Sequence, residues 1–150
     1  MGHRGFEIVE AYEGCGIRLP SRRTGESAGY DIEAAESVLL EPGRTALLPT
    51  GIKAFMEPDE VLLIFVRSSL AAKHGLMLVN GVGVIDADYY GNPDNGGHIM
   101  IPVHNLGGDA FRVERGMRIA QGIFIKYLTA EGDAPGQGFV RSGGFGSTGM

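Results

Sequence analysis

Short apolar runs separated by turn residues recur along the chain, at lengths that suit strands and almost never helices. The runs are FEIVE from Phe6, VLL from Val38, TALLP from Thr45, IKAFM from Ile52, VLLIFVR from Val61, LMLV from Leu76, HIMIPV from His98, AFRV from Ala110 and RIAQGIFIKY from Arg118. Most are rich in β-branched or aromatic residues and bounded by Gly, Pro, Asn or Asp, which predicts strands joined by tight turns. EPGR at Glu41 and LGGD at Leu106 are strong turn signals. Pro102 lies inside its run, so that strand is expected at a sheet edge or at a bulge. SSLAAKHG is the one helical stretch: Ser68 or Ser69 can cap it, Leu70 to Lys73 favour helix, and Gly75 can stop it. The pattern as a whole predicts an all-β barrel or sandwich with one short helix.

Composition narrows this to one domain. The chain has 150 residues, 43% of them hydrophobic, which is enough for one real core and too little for two. We expect the domain over 1–140 and a flexible glycine-rich tail over 141–150. A net charge of −5 with no basic cluster beyond Arg22 and Arg23 argues against a groove for polymeric nucleic acid. A small anion can still be held where a few basic residues converge. Cys15 is the only cysteine, so no intrachain disulfide forms. VLLIFV is far too short to span a bilayer, and no signal-peptide pattern opens the chain. The expectation is a soluble, cytoplasmic protein without a membrane partner.

Chemistry concentrates in a few places. Arg67, Ser68 and Ser69 fall where an apolar strand meets the short helix, so a guanidinium, two hydroxyls and free N–H groups can meet one phosphate. Read alone, a serine cap beside a surface arginine explains them equally simply. GVGVID at Gly81 lacks the third glycine and the following helix of a dinucleotide fingerprint, and GGFGSTG at Gly143 lacks the lysine of a phosphate-binding loop. The latter reads as a flexible terminus, except that Phe145 among glycines can close over a base. GVIDADYYGNPDNGG, residues 83–97, places Asp86, Asp88, Tyr89 and Tyr90 directly after an apolar run and then dissolves into turn residues. The four histidines are scattered without metal-ligand spacing, and no G-x-S-x-G nucleophile motif occurs.

Taken together, five segments fall into a known order. AGYDIEAAE from Ala28, RSSLAAKHGL from Arg67, NGVGVIDADYYG from Asn80, RIAQ from Arg118 and GGFGSTG from Gly143 resemble the five ordered motifs of the homotrimeric dUTPase family. The resemblance covers most of the chain. It implies a distorted, jelly-roll-like β-barrel whose trimer hydrolyses dUTP to dUMP and pyrophosphate, keeping uracil out of DNA and supplying dUMP for dTMP synthesis. By the same resemblance Asp86 holds the attacking water, Asn80 and Gly83 belong to the uracil hairpin, and Tyr89 packs beneath the deoxyribose. Arg67, Ser68, Ser69, Arg118, Gln121, Arg141, Ser147 and Thr148 cradle the triphosphate, while Phe145 and Gly146 close over the nucleotide. Mg²⁺ is implied as cofactor, held mainly by the triphosphate and reached by Asp31 through water. Each active site is expected to be shared, with the tail of one subunit closing a neighbour's pocket. A carboxylate is a weak base at neutral pH, so Asp86 is expected to act by orienting water.

Several positions depart from the family pattern. Ala87 stands where serine is common, Tyr90 where the residue is often charged or polar, and Arg141 lies one residue closer to Phe145 than usual. NPDNGG lengthens the turn after Tyr90 and is expected to be a solvated loop, the alternative being a contact surface for a partner. The dCTP deaminase family shares the fold and an RSS-type motif, but its HITLELSN aligns with HIMIPVHN here, so its catalytic glutamate falls on Pro102. Proline cannot transfer a proton. A nucleotide-sensing regulatory module is the non-enzymatic alternative.

Overall fold

The computed structural model describes residues 2–136, 141, 143 and 144. Among them are eleven strands and one α-helix. The strands are β1 (Gly5–Ile8), β2 (Tyr30–Glu33), β3 (Val38–Leu40), β4 (Thr45–Pro49), β5 (Ile52–Phe55) and β6 (Glu60–Val66). They continue with β7 (Leu76–Leu78), β8 (Gly83–Asp86), β9 (Met100–Asn105), β10 (Phe111–Val113) and β11 (Arg118–Lys126); α1 is Ser68–His74. The predicted all-β class with one short helix is what is found. The runs named from the apolar pattern all become strands, and β2 and β8 are added to them.

β6 organises the molecule. Its sequence EVLLIFV is apolar on both faces, as a strand covered on both sides must be. It pairs with β11 along its whole length, from Ala120 opposite Val66 to Lys126 opposite Glu60. Its other edge pairs with β8, placing Asp86 opposite Val61 and Gly83 opposite Ile64. With β2 outside β11, these make a four-stranded sheet ordered β2-β11-β6-β8. A second sheet runs β4-β9-β7, and the pairs β1-β5 and β10-β3 complete the shell. One core serves all of them: Ile32, Leu40, Leu48, Ile52, Leu62, Leu70, Leu76, Ile101, Val113 and Ile119 belong to a single buried cluster. Burying one such side chain contributes about 1.5–3 kcal/mol, so strands as short as three residues hold their places through the core they share.

Two expectations need correction. β9 is the central strand of its sheet, so Pro102 is at neither an edge strand nor a bulge. Its carbonyl accepts the Val79 N–H at 3.0 Å, and the missing Pro102 N–H faces that same side. β7 ends at Leu78, so the proline falls where the partner strand is already leaving the sheet. The helix cap also differs. Arg67 occupies the N-cap and makes no side-chain cap bond; its carbonyl accepts from Leu70 and Ala71, while Ser68 and Ser69 form the first turn. Gly75 ends the helix as expected, in the left-handed conformation with φ of 67°.

His98 couples three segments near the cleft described below. Its Nε2 accepts the Gly51 N–H at 2.9 Å and its carbonyl accepts the Tyr89 hydroxyl at 2.6 Å. Burial holds its pKa below 6.5, with Glu36 opposing in part. The unfolded chain therefore binds this proton more readily, and the stability His98 contributes is present above 6.5 and lost as pH falls through its folded value. We expect the melting temperature to fall between about pH 7 and about pH 5, and His98→Gln, which keeps an acceptor for Gly51 but does not titrate, to flatten that profile. Thermal scans across this range check it.

Candidate active site

The predicted residues gather in two places along β6. The first is a cleft of about 270 Å³ between β8 and β9, lined by Asn80, Gly83, Ile85, Asp86, Tyr89, Met100, Pro102 and Arg141. Its floor is apolar, and its polar groups stand at the rim, which is the usual build of a small-molecule site. Gly83 belongs here for a steric reason: a Cβ on it would stand 3.0 Å from the Ile64 Cβ across the β6–β8 pairing. The cleft can therefore approach the β8 backbone closely.

Tyr89 closes the cleft at its base and is 7% exposed. Its hydroxyl donates to the His98 carbonyl and accepts from Asn95 Nδ2 at 2.8 Å. Burial raises its pKa, so the phenol stays protonated and keeps donating to His98. Tyr90 turns the other way. It donates to Glu7 at 2.5 Å, and Lys53 Nζ stands 5.1 Å from its ring centroid.

The NPDNGG segment is exposed at Pro93, Asp94 and Asn95, as its composition suggests, but it is ordered by its own side chains. Asn92 is buried, its Oδ1 accepting the N–H groups of Asp94 and Asn95 and its Nδ2 donating to the Tyr89 carbonyl and to Asn95 Oδ1. Asn95 Oδ1 in turn accepts from Gly97. Side-chain to backbone bonds of this kind let asparagine replace a strand ladder inside a turn.

Arg141 joins this cleft. Its Nη2 lies 2.6 Å from Asp86 Oδ2 and its Nε 2.7 Å from Asp88 Oδ1. Gly144 packs on the Tyr89 ring and Gly143 on the Asp94 carboxylate, both so closely that a Cβ would stand within 3.2 Å of those side chains. The resemblance had placed Arg141 with the triphosphate ligands and the tail on a neighbouring subunit. In this chain the described tail residues rest on the cleft of their own chain. Phe145, Gly146, Ser147 and Thr148 lie outside the described residues.

The second place collects Arg67, Ser68, Ser69, Asp31, Arg118 and Gln121. Arg67 follows β6 and its N–H bonds the Ile119 carbonyl at 2.9 Å. β11 is irregular between Arg118 and Ala120 where it pairs β2, a feature that re-aims side chains. Arg118 Nη1 lies 3.4 Å from Asp31 Oδ2, and Gln121 pairs with Asp31 across the same two strands. Gly29 makes room for Gln121: a Cβ there would stand 2.1 Å from its Oε1. Among the described residues no group of three His, Cys, Asp or Glu side chains converges on one point. A lone carboxylate such as Asp31 suits only a hard cation that takes most of its ligands from phosphate oxygens and water.

A third cleft, about 320 Å³, lies between Ile17, Arg18, Glu33 and Arg115. It holds none of the predicted residues, and Arg18 is closed on Glu33 at 2.9 Å. Asn92, Asn95 and His98 are the supporting residues the sequence reading did not single out. The asparagines carried a signal, since Asn spaced through a turn often bonds back to its own backbone.

Comparison with known proteins agrees with this geometry. The dUTPase family model matches residues 16–149, and the chain belongs to that family. The deoxyuridine 5'-triphosphate nucleotidohydrolase of Lactococcus lactis is 51% identical, with 99% of each chain covered. That of Erwinia tasmaniensis is 41% identical, over 83% of this chain and 80% of its own. The crystal structure of the Streptococcus mutans dUTPase is similar with a TM-score of 0.80 at 44% identity, covering 85% of this chain and 98% of that one.

The two glycine contacts predict different costs. Gly83→Ala sets a Cβ against Ile64, which is fixed in a core strand, and should destabilise by about 1–3 kcal/mol. Gly29→Ala meets chiefly the movable amide of Gln121, with the Gln121 Cβ further off at 3.2 Å, and should cost less. Urea unfolding of the two variants measures the difference.

Proposed function

We propose that the protein hydrolyses dUTP to dUMP and pyrophosphate at a site that two or more copies of the chain complete together. The observation that carries this reading is the order of groups along β6. Gly83 stands opposite Ile64, Asp86 opposite Val61, and Arg67 beyond the far end. At about 3.4 Å per residue, Arg67 is roughly 20 Å along the strand from the position facing Asp86. A nucleotide with its base at Asn80 and Gly83 and its phosphates at Asp86 points away from the Arg67 of the same chain. The Arg67, Ser68, Ser69, Arg118 and Gln121 group must then serve the cleft of another copy. Leu47, Met77, Val79 and Val84, large apolar side chains left exposed in the single chain, are consistent with such an assembly. The family resemblance makes it a homotrimer, with the tail from Arg141 completing the pocket.

In this reading the uracil edge bonds to the hairpin around Asn80, and the deoxyribose lies on the Tyr89 ring. A 2'-hydroxyl would meet that ring without a partner, so ribonucleotides are disfavoured. Asp86 orients a water toward the phosphate chain, and its attack breaks the bridge between the α and β phosphates. Arg141 occupies Asp86 Oδ2, which leaves Oδ1 to hold the water. The donors of Arg67, Ser68, Ser69 and Arg118 stabilise charge on the departing pyrophosphate. Asp31 is the residue that would face a Mg²⁺ ion held by the triphosphate, which would neutralise more of that charge. Pro102 lines the cleft where a deaminase needs its glutamate, which speaks against deamination of dCTP. The exposed single Cys15 accords with a cytoplasmic, reducing location. There the reaction would keep uracil out of DNA and supply dUMP for dTMP synthesis.

Pyrophosphate release from dUTP, dCTP, dTTP and UTP, each with Mg²⁺, tests the assignment: dUTP should be the one good substrate. Equal turnover of UTP, or ammonia released from dCTP, contradicts it. Asp86→Asn should keep the fold and nucleotide binding while lowering kcat by about a hundredfold or more.

A further inference from the structure

The Tyr89 ring is held at both ends. Its backbone carbonyl accepts from Asn92 Nδ2 at 2.7 Å, and its hydroxyl accepts from Asn95 Nδ2 at 2.8 Å while donating to the His98 carbonyl at 2.6 Å. Asn92 is 5% exposed and makes four hydrogen bonds, the full capacity of its side chain. One of them, Asn92 Nδ2 to Asn95 Oδ1 at 2.8 Å, ties the two asparagines together. Gly97 closes the turn against Tyr89 and Tyr90, with a φ of 99° and so little space that a Cβ would stand 3.1 Å from the Tyr89 carbonyl oxygen.

These bonds converge on one residue. Asn95 itself is exposed, and its side chain bonds only within the turn and to the Tyr89 hydroxyl. A turn built only to reverse the chain has no need of a donor aimed at a phenol. A phenol hydroxyl that lost Asn95 would keep only the His98 bond, so the ring would be held less firmly within its packing. Discrimination between sugars that differ by one hydroxyl depends on where the ring face lies.

We propose that Asn95, braced by Asn92, is a positioning residue for sugar selection: it fixes the Tyr89 ring at the height that admits deoxyribose and rejects ribose. The inference rests on the dUTPase reading and extends it to the 92–97 turn, which does not line the cleft. Asn95 acts through Tyr89 and takes no part in bond breaking.

Asn95→Asp tests it with little change of shape. The variant keeps the acceptor for Gly97 and Asn92 and removes the donor to Tyr89. Its dUTP to UTP ratio of kcat/KM should fall by about three- to tenfold, the scale of one lost hydrogen bond, with the melting temperature little changed. Asn95→Ala should lower the ratio in the same direction. Tyr89→Phe removes the hydroxyl and keeps the ring; adding Asn95→Asp to it should shift the ratio no further, because the two changes break the same bond. A wild-type ratio in both Asn95 variants, or a full further drop in the double variant, overturns the inference alone. A wild-type enzyme that turns over UTP as fast as dUTP overturns the dUTPase reading and this inference with it.

Discussion

The pairing of β6 on both edges is the constraint from which the rest follows. β11 binds one edge over seven residues and β8 the other over four, so neither neighbour can slip without turning its apolar face outward. That register sets Asp86 opposite Val61 and leaves Arg67 to begin α1 at the far end. Asp86 and Arg67 are thus held apart along β6 within one chain. In the proposed reading, this separation is the reason that more than one copy is needed to complete the site.

A second constraint acts around Tyr89. The cleft lies between two sheets, where backbone pairing has ended and polar groups would otherwise be stranded. Side chains take over that role: Asn92, Asn95 and His98 together satisfy the carbonyls and amides that no strand reaches. No buried side-chain N or O among the described residues lacks a partner. Arg141 does the same for the two exposed carboxylates at the rim, Asp86 and Asp88. The stiffness of the cleft comes from this polar lattice, and its depth comes from the apolar core beneath it.

Much of this was legible in the chain. The apolar runs marked nearly every strand, because most have buried residues and turn chemistry on both sides. β2 was missed because only Ile32 in YDIE is buried, and three polar or aromatic neighbours hide the period. The order of the five motifs revealed the family and brought Asn80, Gly83, Asp86 and Tyr89 to one cleft, as expected. Sequence reading failed where side chains bond to backbone. Ser68 and Ser69 looked like caps, yet the Arg67 carbonyl begins the helix without them. NPDNGG looked solvated because its residues are polar, although two asparagines bonded to each other and to Tyr89 make it an ordered support. Pro102 looked like an edge residue because the early departure of β7 cannot be seen from β9 alone.

The division of the site between copies is tested most directly by mixing two variants. Asp86→Asn removes from one chain the carboxylate proposed to hold the water, and Arg67→Ala removes from another the proposed phosphate ligand; each assembly alone should be nearly inactive. Co-refolded, some sites combine an intact Asp86 from one chain with an intact Arg67 from its neighbour. The account predicts that mixed assemblies, confirmed by native mass measurement, recover a clear fraction of wild-type dUTP turnover. Mixed assemblies that stay as inactive as their parents would show that both groups act within one chain, and would contradict it.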